Sequence, residues 1–184
     1  ILGQESSDYL GALGSMGVVY QGLGKYDKAE EVFIALINYF KSLPDAEKET
    51  LQILQNNLGE LYRNMGDYEK AEPALEEALR MCRNYDAKNS DATASTLNNL
   101  GLVQKALGKY PEAESSYKKS IATYKSLNKT SHPDYTNPVN NLGELYRTMG
   151  RWQEAVNSFE EVIALRKKLL VTEHPNYANA INNL

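Results

Sequence analysis

Leu58-Gly59-Glu60-Leu61-Tyr62-Arg63-Asn64-Met65-Gly66-Asp67-Tyr68-Glu69-Lys70-Ala71 is the stretch that decides how the chain is read. It returns from Leu100-Gly101 to Ala113 and from Leu142-Gly143 to Ala155, and a looser copy runs from Met16-Gly17 to Ala29. Each copy begins 42 residues after the one before, without insertion. Repetition at a fixed period of about 20–50 residues is the signature of a solenoid, whose units pack only on their neighbours. The predicted organisation is one array of repeats at about 9–50, 51–92, 93–134 and 135–176. Residues 1–8 read as the tail of a preceding repeat. Residues 177–184 read as the start of a fifth, because Asn182-Asn183-Leu184 echoes Asn140-Asn141-Leu142. The expectation is therefore a fragment of a longer array.

Composition narrows the function classes. The chain has 184 residues, 42% hydrophobic and 24% charged, as in an ordinary folded protein. A net charge of −4 argues against a general nucleic-acid binder or a binder of acidic membranes. No apolar run reaches the roughly 18–20 residues that span a bilayer. The single cysteine, Cys82, leaves no internal disulfide framework and fits a reducing compartment, so a cytoplasmic location is expected.

Within each copy the pattern is helix, glycine, helix. Gly24, Gly66, Gly108 and Gly150 each stand where a first helix should end, and each is followed two residues later by Tyr26, Tyr68, Tyr110 or Trp152. The first of these first helices is predicted at about 9–23. Second helices are predicted at about 26–42, 68–84, 110–127 and 152–169. They carry acids early (Asp27, Glu69, Glu112, Glu154) and bases late (Lys41, Arg80, Lys125, Arg166), which complements the helix dipole. Ala71, Leu75, Ala78 and Leu79 form one apolar stripe at helical spacing. Pro138 lies too deep for a helix beginning at Pro133, so that helix is expected to start late, near Asn137, or to kink.

The copies resemble the tetratricopeptide repeat, a family of paired antiparallel helices. The residues that carry the resemblance are Leu58-Gly59, Tyr62, Gly66-Asp67-Tyr68 and Ala71, with Leu75 in a late aromatic slot, and Leu142-Gly143, Tyr146, Gly150-Arg151-Trp152, Ala155 and Phe159. The family's usual unit is about 34 residues, so this one is longer, by about one turn on each helix. The Asn-Asn-Leu-Gly motif and the junctions His132-Pro133-Asp134-Tyr135 and His174-Pro175-Asn176-Tyr177 resemble the long repeats of kinesin light chains and bacterial arrays. Some such bacterial arrays precede a caspase-like CHAT protease domain. Gln104 departs from the Tyr62 and Tyr146 pattern, and Gly14-Ser15 replaces the Asn pair in the first copy.

The resemblance implies an all-α, right-handed superhelical solenoid whose first helices line a concave groove. Gly59 and Ala71 are expected to face each other where the paired helices cross. Residues offset from the buried Leu58, Leu61 and Tyr62 then point into the groove. These are Asn57, Glu60, Arg63 and Asn64 in the second repeat, Asn99, Leu102 and Lys105 in the third, and Asn141, Glu144 and Arg147 in the fourth. An amide offers both a donor and an acceptor, so a row of asparagines suits the main chain of an extended peptide. Arg63, Lys105 and Arg147 would favour acidic groups. The Asn pairs also admit a second reading, in which they bond neighbouring helices and fix the stacking; this is the favoured one for the first Asn of each pair. Ser95 and Asn99 stand where chaperone-binding members carry bases, which argues against a clamp for a chaperone tail.

No catalytic, metal or cofactor constellation emerges. His132 and His174 lie a repeat apart and read as helix-start residues rather than metal ligands. Cys82 reads as packing, and the Glu30-Glu31, Glu76-Glu77 and Glu160-Glu161 pairs as solvated helix faces. The expected function is a non-catalytic scaffold that binds a protein or extended peptide. Two alternatives stand beside it. One is a regulatory or sensor segment of a larger protein, such as a CHAT-type protease. The other is a homo-oligomer formed through uncapped solenoid ends.

Overall fold

The computed structural model describes residues 7–43, 48–83 and 90–168. Among these residues there are eight α-helices, one short 3-10 turn and no strand. The chain falls into two compact units, Ile1–Lys88 and Asn89–Leu184. The first holds α1 (Ser7–Gly22), α2 (Tyr26–Ser42), α3 (Lys48–Met65) and α4 (Tyr68–Arg83). The second holds α5 (Asp91–Ala106), α6 (Tyr110–Ser126), the 3-10 turn Pro133–Tyr135, α7 (Thr136–Thr148) and α8 (Trp152–Lys168). Within each unit every helix packs on the next, α1 to α4 and α5 to α8. The all-α fold of helix pairs expected from the sequence is the one observed. The predicted terminal repeat pieces at 1–8 and 177–184, the His174 junction and the Cys82 side chain lie largely outside the described residues.

The turn inside each pair follows from one residue type. Gly24, Gly66, Gly108 and Gly150 all have positive φ, between 69° and 80°, where a Cβ would clash with the backbone. That conformation lets the next amide reach back five residues: Lys25 to the Tyr20 carbonyl, Asp67 to Tyr62, Lys109 to Gln104 and Arg151 to Tyr146, each at 2.9 Å. This closes the carbonyls at the helix end. The same four residues then accept the first bond of the second helix, from Ala29, Ala71, Ala113 and Ala155. One glycine thus ends one helix and starts the next in antiparallel register.

Packing inside each pair rests on a second glycine, which faces Ala71 as expected but meets a further side chain more closely. A Cβ on Gly59 would lie 2.6 Å from Leu75 Cγ, whereas Ala71 offers only its carbonyl at 3.5 Å. The recurring partner is the residue in the late aromatic slot: Phe33 beneath Gly17, Leu75 beneath Gly59, Tyr117 beneath Gly101 and Phe159 beneath Gly143. These four side chains are fully buried. Ala71 sits one turn away on α4, and its small size serves the approach of the backbone rather than the filling of the gap.

Between successive pairs a polar bond recurs. Tyr62 Oη donates to Glu30 Oε1 at 2.7 Å, and Tyr146 Oη donates to Glu114 Oε1 at 3.2 Å, both across 32 positions. Burial and the Glu30 carboxylate push the Tyr62 phenol up to about 12. Burial, with Glu114 alongside, raises that of Tyr146. In the third repeat Gln104 instead accepts from the Ser116 hydroxyl at 2.7 Å, inside its own pair. Glu114 also takes Arg151 at 2.6 Å, and the Arg151 guanidinium lies 4.3 Å over the Tyr146 ring.

The prolines take different places in their helices. At Pro133 the chain makes a 3-10 turn, capped by His132 Nδ1, which accepts from the Asp134 amide at 3.3 Å. The α-helix restarts at Thr136, so Pro138 falls in the first turn of α7, where its missing N–H costs nothing. That start is one residue before the expected Asn137. Pro73, by contrast, sits inside α4 and the helix runs through it. Arg166 stands in the last turn of α8, as expected, and is 1% exposed there, with Nη2 donating to the Thr136 hydroxyl and to the Pro133 carbonyl. Burial pushes its guanidinium below the usual range.

One apolar face in the first unit stays open. On α3, Leu51, Leu54, Leu58 and Leu61 are buried, and α3 packs on α2. The same register positions on α1 are Tyr9, Ala12, Met16 and Val19. Tyr9 is 46% exposed, Met16 39% and Val19 58%, and Leu23 on the same face is 63% exposed.

Candidate functional site

The candidate groove residues fall on the first helices, and in the second unit two of those helices adjoin. α5 and α7 touch each other as well as their partners. Asn141 Nδ2 on α7 donates to Asn98 Oδ1 on α5 at 2.9 Å, across 43 positions. The bond joins the second Asn of one pair to the first Asn of the pair before it. Asn99 is 9% exposed and has its own polar partner. Leu102 packs against the core cluster that holds Leu142, Leu145 and Tyr146.

Two of the charged candidates form ion pairs on their own helices. Arg147 pairs with Glu144 at 2.9 Å on α7, and Arg63 pairs with Glu60 at 3.8 Å on α3. Lys105 on α5 lies within electrostatic influence of the α7 pair. Its ammonium is held below the usual range by burial, with Arg147 adding to that and Glu144 opposing it. Surface pairs of this kind contribute little to stability, about 0–1 kcal/mol. Asn64 is exposed at the end of α3.

In the first unit the corresponding surface is a cavity. Its volume is about 480 Å³, and α1, α2 and α3 line it. Asn57 and Ile53 of α3 stand on one side, with Gly11, Gly14 and Ser15 of α1 on the other. Asn57 is half-buried and makes no hydrogen bond to a described residue. These α1 positions were not among the sequence-predicted site residues. The signal was present in the sequence, as the Gly14-Ser15 departure from the Asn pair, but it reads only as loss of a motif until the space it leaves is seen.

The remaining candidates keep structural roles. The His132 ring stacks on Tyr124 with centroids 6.3 Å apart, and its Nδ1 caps the 3-10 turn. Among the described residues no group of three or more His, Cys, Asp or Glu is placed to hold a metal ion. Among them, too, no helix is long and apolar enough to cross a membrane.

Comparison with known proteins agrees with this architecture. Tetratricopeptide-repeat family models match residues 12–39, 50–126 and 139–176. No curated protein matches the sequence. Among solved structures, the chain is similar to BtubC (BKLC) from P. vanneervenii, with 25% identity, a TM-score of 0.85, and coverage of 95% of this chain and 71% of that one. It is also similar to the kinesin light chain-type, nearly identical TPR-like repeats of Podosopora anserina, with 21% identity, a TM-score of 0.77, and coverage of 98% and 86%. Aspartyl phosphate phosphatase F from Bacillus subtilis shares the fold at 16% identity, with a TM-score of 0.82, over 96% of this chain and 44% of that one. The repeat-by-repeat match, the helix pairs and the 42-residue period agree: the chain belongs to the tetratricopeptide-repeat family, with repeats of the kinesin light chain-like kind.

Proposed function

We propose that this protein-interaction scaffold binds an extended peptide along the faces of its first helices and carries out no chemistry of its own. The observation that carries the reading is on α5 and α7, where Asn141 bonds Asn98 between the two helices, Arg147 pairs with Glu144, and Lys105 lies within electrostatic reach of that pair. Amides and paired charges on rigid helices can meet main-chain groups and side chains of either sign. Asn141 is the weaker residue for a test, because its removal breaks the bond to Asn98 and costs about 1 kcal/mol of stability. Lys105 and Arg147 are better. Peptides selected from a random library on the native chain are expected to bind a Lys105→Ala, Arg147→Ala variant about tenfold more weakly, a change of about 1.4 kcal/mol. Its melting temperature should stay nearly unchanged. Equal affinity for the variant, measured by calorimetry, would remove the groove from the explanation.

The open face of α1 supports a second reading, self-association end to end. Tyr9, Met16 and Val19 expose the register positions that Leu51, Leu58 and Leu61 bury on α3, and an exposed apolar helix face favours a covering helix. Light scattering over a concentration series should show mass rising with concentration, and the rise should vanish in Val19→Glu. A strict monomer at the highest concentration rules the reading out.

A further inference from the structure

Helix α1 differs from the other first helices in its charges. Between Asp8 and Lys25 the chain has no charged residue. Glu60 and Arg63 form an ion pair on α3, and Glu144 and Arg147 form one on α7. The residues in register with them on α1 are Val18 and Gln21. Gly11, Ser15, Val18, Val19 and Gly22 recur at helical spacing and are all exposed, so they make one continuous uncharged face. Leu10 and Gly17, on the other side of the helix, are buried.

Two glycines on that face have no function inside this chain. Gly17 must be small, because a Cβ there would lie 2.7 Å from the Phe33 ring. A Cβ on Gly11 or Gly22 would meet nothing within 4 Å. Glycine weakens a helix relative to alanine, so both positions carry a cost that packing within the unit does not repay. Small residues on an outer face let a second helix approach closely, and the branched side chains of Val18 and Val19 need such a space opposite them.

The same face supplies both. In an antiparallel pair of α1 helices with a two-fold axis at Ser15, each residue stands opposite the one equally far beyond Ser15. Gly11 then meets Val19, and Ala12 meets Val18, small against large at both ends. Charge selects the same direction. Asp8 stands opposite Gly22, next to the exposed Lys25 that follows the helix, whereas a parallel pair would set Asp8 against Asp8. A charged helix of another protein would find no counter-charge along α1.

We infer that α1 is a homodimer interface: it packs antiparallel on α1 of a second copy, about a two-fold axis at Ser15. The inference rests on the self-association reading above and adds the partner element and the closure. A two-fold contact uses the same patch on both copies and stops at the dimer, whereas a head-to-tail contact continues into filaments. One helix per copy offers less than the roughly 1,200–2,000 Å² of a stable complex, so the dimer is weak, with a dissociation constant on the order of 10–100 μM.

The test is sedimentation velocity of the full chain from below to well above that range. The mass should rise and level off at twice that of the monomer. Val19→Glu and Gly11→Lys each place a charge in the pair, and each alone should weaken association at least about tenfold. Both positions are exposed, so circular dichroism should show native helix content in each variant. Mixed in equal amounts, the two variants should regain a dimer, since the new carboxylate and the new ammonium then stand opposite each other. Ser15→Cys, at the axis, should form a disulfide-linked dimer on mild oxidation, well above the level of the native chain and of Ile34→Cys, exposed on α2. A mass that grows past the dimer, a mixture that stays monomeric, or Ser15→Cys that cross-links no better than Ile34→Cys overturns the α1 pair and leaves self-association standing. A native chain that stays a strict monomer defeats both.

Discussion

Gly101→Leu is expected to destabilise the second unit by about 3 kcal/mol or more, at or beyond the top of the usual range for overpacking. A Cβ at this position would lie 2.6, 2.7 and 2.9 Å from three atoms of the Tyr117 ring, closer than carbon atoms approach. Tyr117 is fully buried beside Ala113, Leu142 and Phe159, so the ring has no room to swing away. Helix propensity acts in the opposite direction, since glycine inside a helix is about 0.8–1.0 kcal/mol worse than alanine. That gain is too small to offset the clash, and leucine adds three more carbons to it. Urea unfolding followed by circular dichroism measures the loss. The same logic ranks the repeats. Gly59→Ala should cost less than Gly101→Ala, because the Leu75 side chain can change rotamer where the Tyr117 ring cannot. In addition, Tyr117→Leu should recover part of the stability lost in Gly101→Ala, a coupling that a double-mutant cycle reads directly. An unchanged unfolding midpoint for Gly101→Leu would falsify the close-approach account of the repeat.

Pro73→Ala is expected to act in the opposite direction, raising the stability of the first unit by about 2 kcal/mol. Pro73 lies inside α4, after the first turn, with the helix continuing to Arg83. An interior proline removes the bond to the carbonyl four residues earlier, here Glu69, and its ring crowds that carbonyl. Together these effects cost about 3 kcal/mol relative to alanine. Part of that is offset because proline restricts the unfolded chain by about 0.4–1 kcal/mol. No packing is lost in the exchange, since Pro73 faces solvent while Ala71, Ala74, Leu75 and Ala78 hold the core. The residues in register with it, Glu31, Ser115 and Asn157, are ordinary helix residues. A urea midpoint that moves upward agrees with this account, and one that moves down or stays fixed contradicts it. Pro111 is the control. It sits in the first turn of α6, where the missing donor has no helical partner to lose, so Pro111→Ala should change little.

The sequence by itself determined the helix pairs, their ends and their core stripe. Those features depend on residues a few positions apart: a glycine that accepts positive φ, an apolar residue every third or fourth place, an alanine that starts the next helix. Gly66, Ala71 and Leu75 carry that information whatever surrounds them, so the 42-residue copies announce the family before any coordinates. The candidate groove positions could be named from the sequence, but their bonding could not. The tertiary structure decided that Gly59 meets Leu75 more closely than Ala71, that Arg166 turns inward to Thr136, and that Asn141 pairs with Asn98. It also decided that Gly14 leaves Asn57 beside an open cavity. These are meetings across 16 to 43 positions, set by the angle and separation at which whole helices cross. A shift of one packing distance would change the partner without changing a single residue, and so spacing along the chain fixes which faces meet but not which atoms do.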